Sequence, residues 1–363
     1  MPDSPGTTTL NQRLSDAAAM PLVSVLMPVR NEARYIETTL RSVLAQDYPS
    51  DRLEIIVADG MSTDGTREIV ESLRSENGNI RLIDNPGKIV PTGMNAALRI
   101  AQGDVVVRVD GHCEPAPDYV RRCVEHLAAS RVAGVGGPIE TVGETYTARA
   151  IAAAMSSSFG VGGSAFRTVK DRVMSVETVP FPAYTRETIR TVGLYDEEFV
   201  RNQDDEYNYR IKDLGGRLLL SPSIRSRYFS RTSIRSLWRQ YFQYGFWKVR
   251  VMQKHPRQMR WRQYAPPLFV ACLLVCIILA LTVAVLPLVT LFTVYSTVLL
   301  IGAAVNARHT KWAYLPILPV IFAVLHLSYG LGFLVGLAVF WRRWNDTTGR
   351  VPDCKLAEAK EIG

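Results

Sequence analysis

Short apolar runs alternate with amphipathic stretches along the first third of the chain. Two continuous runs, VSVLMPV at residues 23–29 and LEIIVAD at residues 53–59, are typical of strands buried on both faces of a sheet. NIRLIDN and DVVVRVD continue the series, and the stretches between the four runs have helical periodicity, as in YIETTLRSVLAQ and STDGTREIVESLRSE. Because strands alternate with helices, the pattern predicts an α/β fold with a mostly parallel sheet.

A second pattern begins at Pro266, from which the chain is almost free of charge as far as Phe340. A helix needs about twenty apolar residues to cross a bilayer. We therefore expect three spans, with a turn near Pro287 between the first two: residues 266–286, 288–305 and 315–340. The chain then divides into five parts: a flexible N-terminus (1–20), an α/β domain (21–230), basic and aromatic amphipathic helices beside the membrane (231–264), the transmembrane region (265–341) and a polar tail (342–363).

The charges that flank the apolar segments predict the side of the membrane on which each part lies. The first twenty residues have no apolar core preceded by positive charge, so we expect no signal peptide and a cytoplasmic α/β domain. The positive-inside rule favours a hairpin of two spans, because it keeps one group of basic residues cytoplasmic: Arg257, Arg260, Arg262, Arg308 and Lys311. A third full span places Arg342 and Arg343 outside, against the rule. We expect three spans in a multi-pass protein of the inner or plasma membrane, with a re-entrant or doubled third segment as the alternative.

Composition and charge narrow the class of protein. The chain has 363 residues, of which 47% are hydrophobic and 21% are charged, and this excludes a disordered or collagen-like protein. Its 42 Lys and Arg against 34 Asp and Glu give a net charge of +8. Because the basic residues cluster beside the apolar segments, anionic lipid headgroups explain them better than nucleic acid does.

Polar residues follow the ends of three predicted strands. Residues 28–32 (PVRNE) end the first, Asp59 and Gly60 end the second, and residues 110–112 (DGH) end the fourth. Open α/β sheets bind ligands beyond the carboxyl ends of their strands, so these acidic groups predict a polar crevice at one edge. The chain has no GxGxxG after the first strand and no GxxxxGK[ST] motif, which argues against a dinucleotide-binding fold and a P-loop NTPase.

The spaced motifs resemble those of family 2 glycosyltransferases. The likeness is carried, in order, by PVRNEARYIETTLRSVLAQDYP, EIIVADGMSTDGT, NPGKIVPTGMNAALRIAQGDVVVRVDGHCEP and VGLYDEEFVRNQDDEYNYRIKDLGGRLLLSP. It extends over residues 22–250 and is similar to the membrane-attached branch of succinoglycan-type exopolysaccharide enzymes. The resemblance implies a GT-A fold, which binds nucleotide sugars, followed by C-terminal transmembrane helices.

The resemblance implies a nucleoside-diphosphate sugar as donor, with UDP as the expected nucleotide, and a Mn²⁺ or Mg²⁺ ion. Glu32 and Asp59 take the positions that hold the base and the ribose, and carboxylates suit this role as hydrogen-bond acceptors. Asp110 takes the position of the first aspartate of a DxD metal motif, and His112 replaces the second as a metal ligand or a phosphate contact. The implied donor residues are Pro28, Val29, Arg30, Glu32, Asp59, Gly60, Lys88, Asn95, Arg108 and Asp110.

Residues 203–210 (QDDEYNYR) match the motif that carries the catalytic base in this family. Counting back from Arg210 aligns Asp204 with the base, with Asp205 and Glu206 beside it as further catalytic candidates. Three acids at the start of a helix are, on their own, most often a match to the helix dipole. The resemblance favours catalysis by a single displacement, which inverts the anomeric configuration.

A basic and aromatic segment precedes the first span. Together with Arg210 it supplies the predicted acceptor or membrane-proximal residues: Arg210, Arg239, Gln240, Gln243, Tyr244, Trp247 and Lys248. The segment is similar to the QxxRW motif of processive synthases, but Phe246 stands at the Arg position, which argues against a long-chain synthase.

We expect the acceptor to be a lipid-linked saccharide on a polyprenyl diphosphate, used in the synthesis of a cell-surface polysaccharide. The alternatives are transfer to a polyprenyl phosphate, processive polysaccharide synthesis and, in a different class, a non-catalytic membrane adaptor. Two more features have open interpretations. The glycine-rich FGVGGSAFR at residues 159–167 is a closing lid or a structural turn, and His326 in the third apolar run contacts lipid headgroups or bonds to another helix.

Overall fold

The computed structural model of the protein describes residues 20–169, 171–354 and 356–357. Of the predicted flexible N-terminus, residues 1–19 lie outside this part of the chain. The described residues group into two compact units. The first unit draws on Met1–Glu140, Val169–Tyr228 and Gly349–Gly363, and the second unit draws on Thr141–Thr168 and Phe229–Thr348.

As far as β4, strands and helices follow one another in the order that the sequence pattern indicates. The strands are β1 (Val23–Val29), β2 (Leu53–Asp59), β3 (Ile80–Asp84), β4 (Val105–Arg108), β5 (Cys113–Pro115), β6 (Gly134–Gly136), β7 (Ile139–Val142), β8 (Met174–Val176), β9 (Ala183–Thr185), β10 (Leu218–Leu220) and β11 (Ser226–Phe229). The helices are α1 (Ile36–Leu44), α2 (Thr66–Glu76), α3 (Val90–Ile100), α4 (Tyr119–Ser130), α5 (Tyr146–Met155), α6 (Ser158–Val161), α7 (Ala165–Thr168), α8 (Arg186–Val192), α9 (Gln203–Asp213), α10 (Ile234–Lys254), α11 (Ala265–Thr282), α12 (Leu286–His309) and α13 (Leu318–Val339).

An eight-stranded sheet forms the core of the first unit, in the order β3-β2-β1-β4-β9-β6-β10-β8. The neighbours β3, β2, β1 and β4 are parallel, which confirms the predicted α/β fold, while β9 runs antiparallel to both β4 and β6. Every residue of β1 and β4 is buried, which explains why their sequences are continuous rather than alternating apolar runs. The chain order reverses at β1, between β2 and β4, and such a switch point is where open α/β sheets bind ligands.

The second unit contains three helices long and apolar enough to cross a membrane: Trp261–Thr282, Leu286–His309 and Leu318–Val339. The chain turns between α11 and α12 before the predicted position, because Pro287 lies in the first turn of α12, where a helix needs no N–H. Buried residues make up 17% and 11% of the apolar windows of α11 and α12, but 44% of the window of α13. α13 is therefore covered by its own unit far more than the other two helices.

The segment that carries α5, α6 and α7 packs among these helices. Phe159 of α6 contacts Phe322 and His326 edge-on, and a Cβ added at Gly302 of α12 would come within 2.6 Å of its ring. His326 Nε2 lies 2.9 Å from the carbonyl oxygen of Phe159, and its Nδ1 lies 3.2 Å from the Tyr295 hydroxyl. Of the two interpretations of His326, the structure shows hydrogen bonding between helices, and it anchors the start of the glycine-rich segment.

Candidate active site

The carboxyl ends of β1, β2 and β4 lie at one edge of the sheet. Parallel pairing puts Val29 beside Asp59 and Asp59 beside Asp84, and β4 ends at Arg108 next to β1. The polar residues that follow these strands in the sequence are therefore brought to the edge where the chain order reverses. This is the edge at which the strand pattern predicts a polar crevice.

Arg108 joins two acidic residues that are far apart in the sequence. Its Nε donates a hydrogen bond to Asp110 Oδ1 at 2.8 Å, and its Nη1 donates to Asp204 Oδ1. The Arg108 side chain is only 4% exposed, whereas the side chains of Asp110 and Asp204 are 21% and 34% exposed. One buried guanidinium thus holds the end of β4 and the start of α9 together, and both carboxylates remain partly accessible.

The surroundings of Asp204 change its acid strength. Burial raises the pKa of the Asp204 carboxyl to about 6; Arg108 opposes this shift, and the charges of Asp110 and Asp205 reinforce it. A carboxyl group with this pKa is ionised at neutral pH and yet holds a proton more firmly than an ordinary aspartate. These are the properties of a general base.

The three acids at the start of α9 differ in what they contact. They lie in the first turn, where the helix dipole favours negative charge. Asp204 is held by Arg108, whereas the Glu206 side chain is 3% exposed and accepts hydrogen bonds from Arg210 at 2.7 and 3.1 Å. Arg210 also donates to the backbone carbonyls of Val192, the last residue of α8, and of Leu194. The Glu206–Arg210 pair thus anchors α9 to the fold, and Asp204 is the acid that the structure brings to Asp110.

Glu32 and His112 form a second polar pair at the same edge. His112 Nδ1 lies 2.9 Å from Glu32 Oε1, and the ring of Tyr228 packs edge-on against His112 with 5.1 Å between ring centroids. Burial disfavours the charged imidazole, but Tyr228, Glu32 and Asp110 outweigh it and raise the pKa of His112 to about 9. His112 is therefore a cation at neutral pH, with its Nδ1–H donated to Glu32.

Asp59 is buried at the end of β2 and is held from two directions. The backbone N–H of Ser62 lies 3.3 and 3.2 Å from its two carboxylate oxygens, and Arg67 Nη1 lies 3.4 Å from Oδ2. Arg67 also donates to Asp84 at 2.7 Å. These contacts fix the orientation of the Asp59 carboxylate beside the end of β1.

The other predicted donor residues near this edge lie within the first parallel strands or follow them in the sequence. Pro28 and Val29 are buried in β1, and Arg30 directly after them is exposed. Arg30 Nη1 donates to the backbone carbonyl of Lys88 at 3.3 Å, and a Cβ at Gly60 would come within 3.0 Å of the Arg30 side chain. The structure therefore brings Arg30, Gly60 and Lys88 together.

Asn95 connects α3 to a segment for which the sequence motifs suggest no role. Its Nδ2 donates to the Tyr195 carbonyl and to Glu197 Oε1, both at 2.9 Å, and its Oδ1 accepts from the Tyr195 N–H at 2.8 Å. Tyr195 in turn stacks on Tyr207 of α9, with 4.1 Å between ring centroids. Asn95 is fully buried, so it supports α9 from inside the fold. The signal for this role is the aromatic GLYDEEF run just before the acidic motif.

The predicted acceptor or membrane-proximal residues are divided between the two units. Arg210 belongs to the first unit, and the others lie on α10 in the second unit. On α10, Arg239 is exposed, whereas Gln240 and Lys248 are buried. Gln240 Nε2 donates to the Tyr244 hydroxyl at 2.9 Å. Two more of these residues are partly buried: Gln243 and Trp247.

Comparison with known proteins shows the family to which this chain is similar. Residues 24–192 match the family model described as glycosyl transferase family 2. The succinoglycan biosynthesis protein ExoA of Rhizobium meliloti (strain 1021) is 32% identical over 324 residues, which cover 88% of this chain and 96% of that protein. A second relative, from Methanococcus voltae, is 29% identical over 326 residues, which cover 88% of this chain and 98% of that protein. It is named dolichyl N-acetyl-alpha-D-glucosaminyl phosphate 3-beta-D-2,3-diacetamido-2,3-dideoxy-beta-D-glucuronosyltransferase.

Among solved structures, the chain is similar to the mannosyltransferase PcManGT from Pyrobaculum calidifontis in complex with GDP-Man and Mn²⁺. The TM-score is 0.58 at 19% sequence identity, and the match covers 90% of this chain and 93% of that one. This likeness confirms the GT-A fold.

We predict that Arg108→Leu loosens the start of α9, because two partly buried carboxylates lose their shared cation. Hydrogen bonds to charged groups contribute about 1.5–3 kcal/mol each, so amide exchange in peptides covering α9 should accelerate by about 10- to 150-fold, as measured by mass spectrometry. Arg108→Lys should show a smaller effect, because an ammonium keeps the charge but lacks the two-pronged geometry. Arg121, which pairs with Asp47 and Glu125 at the surface, provides the control substitution Arg121→Leu. Unchanged exchange at α9 in Arg108→Leu would contradict the role given to this residue.

Proposed function

Because the chain belongs to glycosyltransferase family 2, we propose that it moves a sugar from a nucleoside-diphosphate sugar to a lipid-linked saccharide, with inversion at the anomeric carbon. The observation that carries the proposal is the bonding of Arg108 to both Asp110 and Asp204. This bonding supports the proposal that Asp204, as the catalytic base, and Asp110, as the carboxylate on the side of the diphosphate, are neighbours at the ligand-binding edge of the sheet. A direct displacement on a sugar diphosphate needs both groups close together.

UDP is the nucleotide that we propose, with Asp59 and Glu32 as the contacts of its base and ribose. The proposal is supported by the fixed orientation of Asp59 and by the chemistry of carboxylates, which accept hydrogen bonds from a uracil N–H and from ribose hydroxyls. His112 Nδ1 is paired with Glu32, so Nε2 is the ring nitrogen that we propose contacts phosphate or ligates the metal ion. PcManGT holds GDP-Man, so a guanine nucleotide is the alternative to be tested.

The residues at the edge fit a divalent ion that takes few of its ligands from the protein. Among the described residues, no three His, Cys, Asp or Glu side chains are grouped so that they could hold a metal ion. Mg²⁺ sites commonly use only one or two carboxylates and complete their shell with substrate phosphates and water. Asp110 fits this type of site as the single carboxylate ligand, for Mn²⁺ or Mg²⁺. An ion bound there would neutralise charge on the diphosphate.

Asp204 is the proposed general base. Its carboxylate takes the proton of the acceptor hydroxyl while the hydroxyl oxygen forms a bond to the anomeric carbon. The bond from that carbon to the diphosphate oxygen breaks, and its electron pair leaves with the nucleoside diphosphate. Attack from the face opposite the leaving group inverts the configuration. Arg108 acts as a positioning residue, because it orients the Asp204 carboxylate without contacting the reacting atoms.

A lipid-linked acceptor is supported by features outside the catalytic edge. Three helices are apolar enough to cross a membrane, and exposed Arg239 on α10 suits anionic lipid headgroups. The relative from Methanococcus voltae has a dolichyl-linked glucosaminyl phosphate in its name, and ExoA is named for succinoglycan biosynthesis. We infer that the product is a cell-surface polysaccharide or its precursor. With the flanking basic residues on the cytoplasmic side, transfer takes place at the cytoplasmic face of the membrane.

The proposal is tested with a panel of donors and the purified full-length protein. UDP-sugars and GDP-sugars are each offered with defined polyprenyl-diphosphate saccharides and Mn²⁺, and release of the nucleoside diphosphate is measured. We expect release from a UDP-sugar that requires both the acceptor and the divalent ion. Failure to bind or cleave any nucleotide sugar under these conditions would instead favour a non-catalytic adaptor.

We predict that Asp204→Asn lowers turnover by about 10²–10⁴-fold, the usual contribution of a general base. Asp205→Asn is the matched control, because it removes one charge from the same helical turn and should keep most of the turnover. The reverse ranking of the two variants would show that the base is Asp205. Retained activity in both would favour transfer to a polyprenyl phosphate, an acceptor that is already an anion and needs no base.

The pH profile of the wild-type enzyme should report the raised pKa of Asp204. The base works in its ionised form, so activity is present above the pKa of about 6 and is lost as the pH falls through it. We expect kcat/KM at saturating Mn²⁺ to fall about tenfold per pH unit below that value. A value of kcat/KM that stays level down to about pH 4, where an ordinary aspartate titrates, would contradict this assignment.

A further inference from the structure

The chain that follows α13 returns to the first unit. Arg350 donates its N–H to Asp196 Oδ1 at 2.8 Å and accepts the N–H of Glu197 at 2.9 Å. Further along, the carbonyl of Ala357 accepts from Arg186 Nη1 at 3.0 Å. Gly349 allows this approach, because a Cβ there would come within 2.5 Å of the Asp196 carboxylate. The end of the described chain is therefore folded into the first unit, and the two must lie on the same side of any membrane.

The helices before α13 also bring the chain back to that side. α11 and α12 are connected by residues 283–285 alone, so two crossings in succession form a hairpin. After this hairpin the chain at Arg308 is on the side from which α11 started. Both ends of α13 thus lie on the side of the first unit, and a helix whose two ends lie on one side has not crossed.

The packing of α13 explains how an apolar helix can remain at the surface of the membrane. Its glycines lie against the backbone of α10: a Cβ at Gly332 would come within 2.1 Å of the Phe242 carbonyl, and one at Gly336 within 2.6 Å of the Phe246 carbonyl. A Cβ at Gly245 of α10 would come within 2.0 Å of the Tyr329 carbonyl. From Gly332–Phe242 to Gly336–Phe246 the contacts advance by four residues on both helices, so α10 and α13 run parallel with their backbones in close approach.

The charges of α10 fix the depth of the pair. α10 carries five basic residues in 21 positions: Arg235, Arg239, Lys248, Arg250 and Lys254. Such a helix is too costly to place in the hydrocarbon core, so α13 beside it lies at the level of the headgroups. Buried Arg250 also binds the chain that follows α13, donating to the carbonyl of Asp346 at 3.2 Å, and Gln253 donates to the Phe340 carbonyl at 3.0 Å.

The distribution of charge along the chain agrees with two crossings. Basic residues flank the hairpin at Arg262 and Arg308, and Arg342 and Arg343 follow α13. With two crossings all of them lie on one side, whereas three crossings put the last two on the far side. The turn of the hairpin, residues 283–285, has the sequence VAV and carries no charge at all.

We propose that the chain crosses the membrane twice, through α11 and α12, and that α13 lies with α10 in the headgroup layer on the side of the first unit. The partner of this helix pair is the lipid surface. Exposed tryptophans at both ends of α13, Trp312 and Trp341, then lie in the same interface rather than in opposite ones.

The test uses single cysteines in the full-length chain and a maleimide that cannot cross membranes. The two exposed native cysteines, Cys272 and Cys354, are replaced, while the three buried ones stay in place and are checked for background labelling. New cysteines are introduced at exposed positions by Ala129→Cys in the first unit, Ala284→Cys in the hairpin turn and Thr347→Cys after α13. We expect Ala129→Cys and Thr347→Cys to react in vesicles of the same orientation, and Ala284→Cys in vesicles of the opposite orientation.

Reaction of Thr347→Cys together with Ala284→Cys would overturn the proposal and show three crossings. Should the replacements prevent folding, a reporter fused after Gly363 of the unmodified chain gives the same information by its location relative to the first unit. A depth measurement tests the second part of the proposal, that α13 lies in the headgroup layer. Nitroxides at Val320, Leu327 and Val339 should be equally accessible to a polar quencher, and a clear minimum at Leu327 would show that α13 enters the hydrocarbon core.

Discussion

The proposed catalytic edge of this protein depends on one buried guanidinium, that of Arg108. Without Arg108, the carboxylates of Asp110 and Asp204 would repel each other across the end of β4. With it, the first turn of α9 is drawn to the switch point of the sheet, and the stacked rings of Tyr195 and Tyr207 support the helix from below. The same cation limits how far the pKa of Asp204 rises, which keeps the proposed base ionised at neutral pH.

A second constraint acts on the other half of the chain, because a bilayer separates apolar from charged surface. α11 and α12 expose apolar side chains along most of their length, as helices surrounded by lipid do. α13 is similarly apolar but is more deeply buried than the other two helices, and its glycines contact a charged helix. Hydropathy alone gives the three helices the same role, and only their packing and the path of the chain after α13 distinguish them.

Much of this architecture could be predicted from the sequence, because burial on both faces leaves a clear mark. β1 and β2 begin and end where the apolar runs VSVLMPV and LEIIVAD do. The grouping of Glu32, Asp59 and Asp110 at one edge follows from the rule for parallel strands. What could not be predicted are contacts between residues far apart in the chain. Motif spacing alone did not reveal that Glu206 is committed to Arg210 or that Asn95 faces Tyr195, because such partners are chosen by the tertiary fold.

In this account two carboxylates that share the Arg108 cation have separate roles: Asp110 binds the metal ion and the donor, and Asp204 is the base. Separate measurements of donor binding and of turnover test this most directly. Titration calorimetry of UDP with Mn²⁺ is compared for Asp110→Asn and Asp204→Asn. The account predicts that Asp110→Asn weakens metal-dependent binding by at least about tenfold, or about 1.4 kcal/mol, while Asp204→Asn binds like the wild type and yet turns over slowly. Equal losses of binding in both variants, or none in Asp110→Asn, would contradict it.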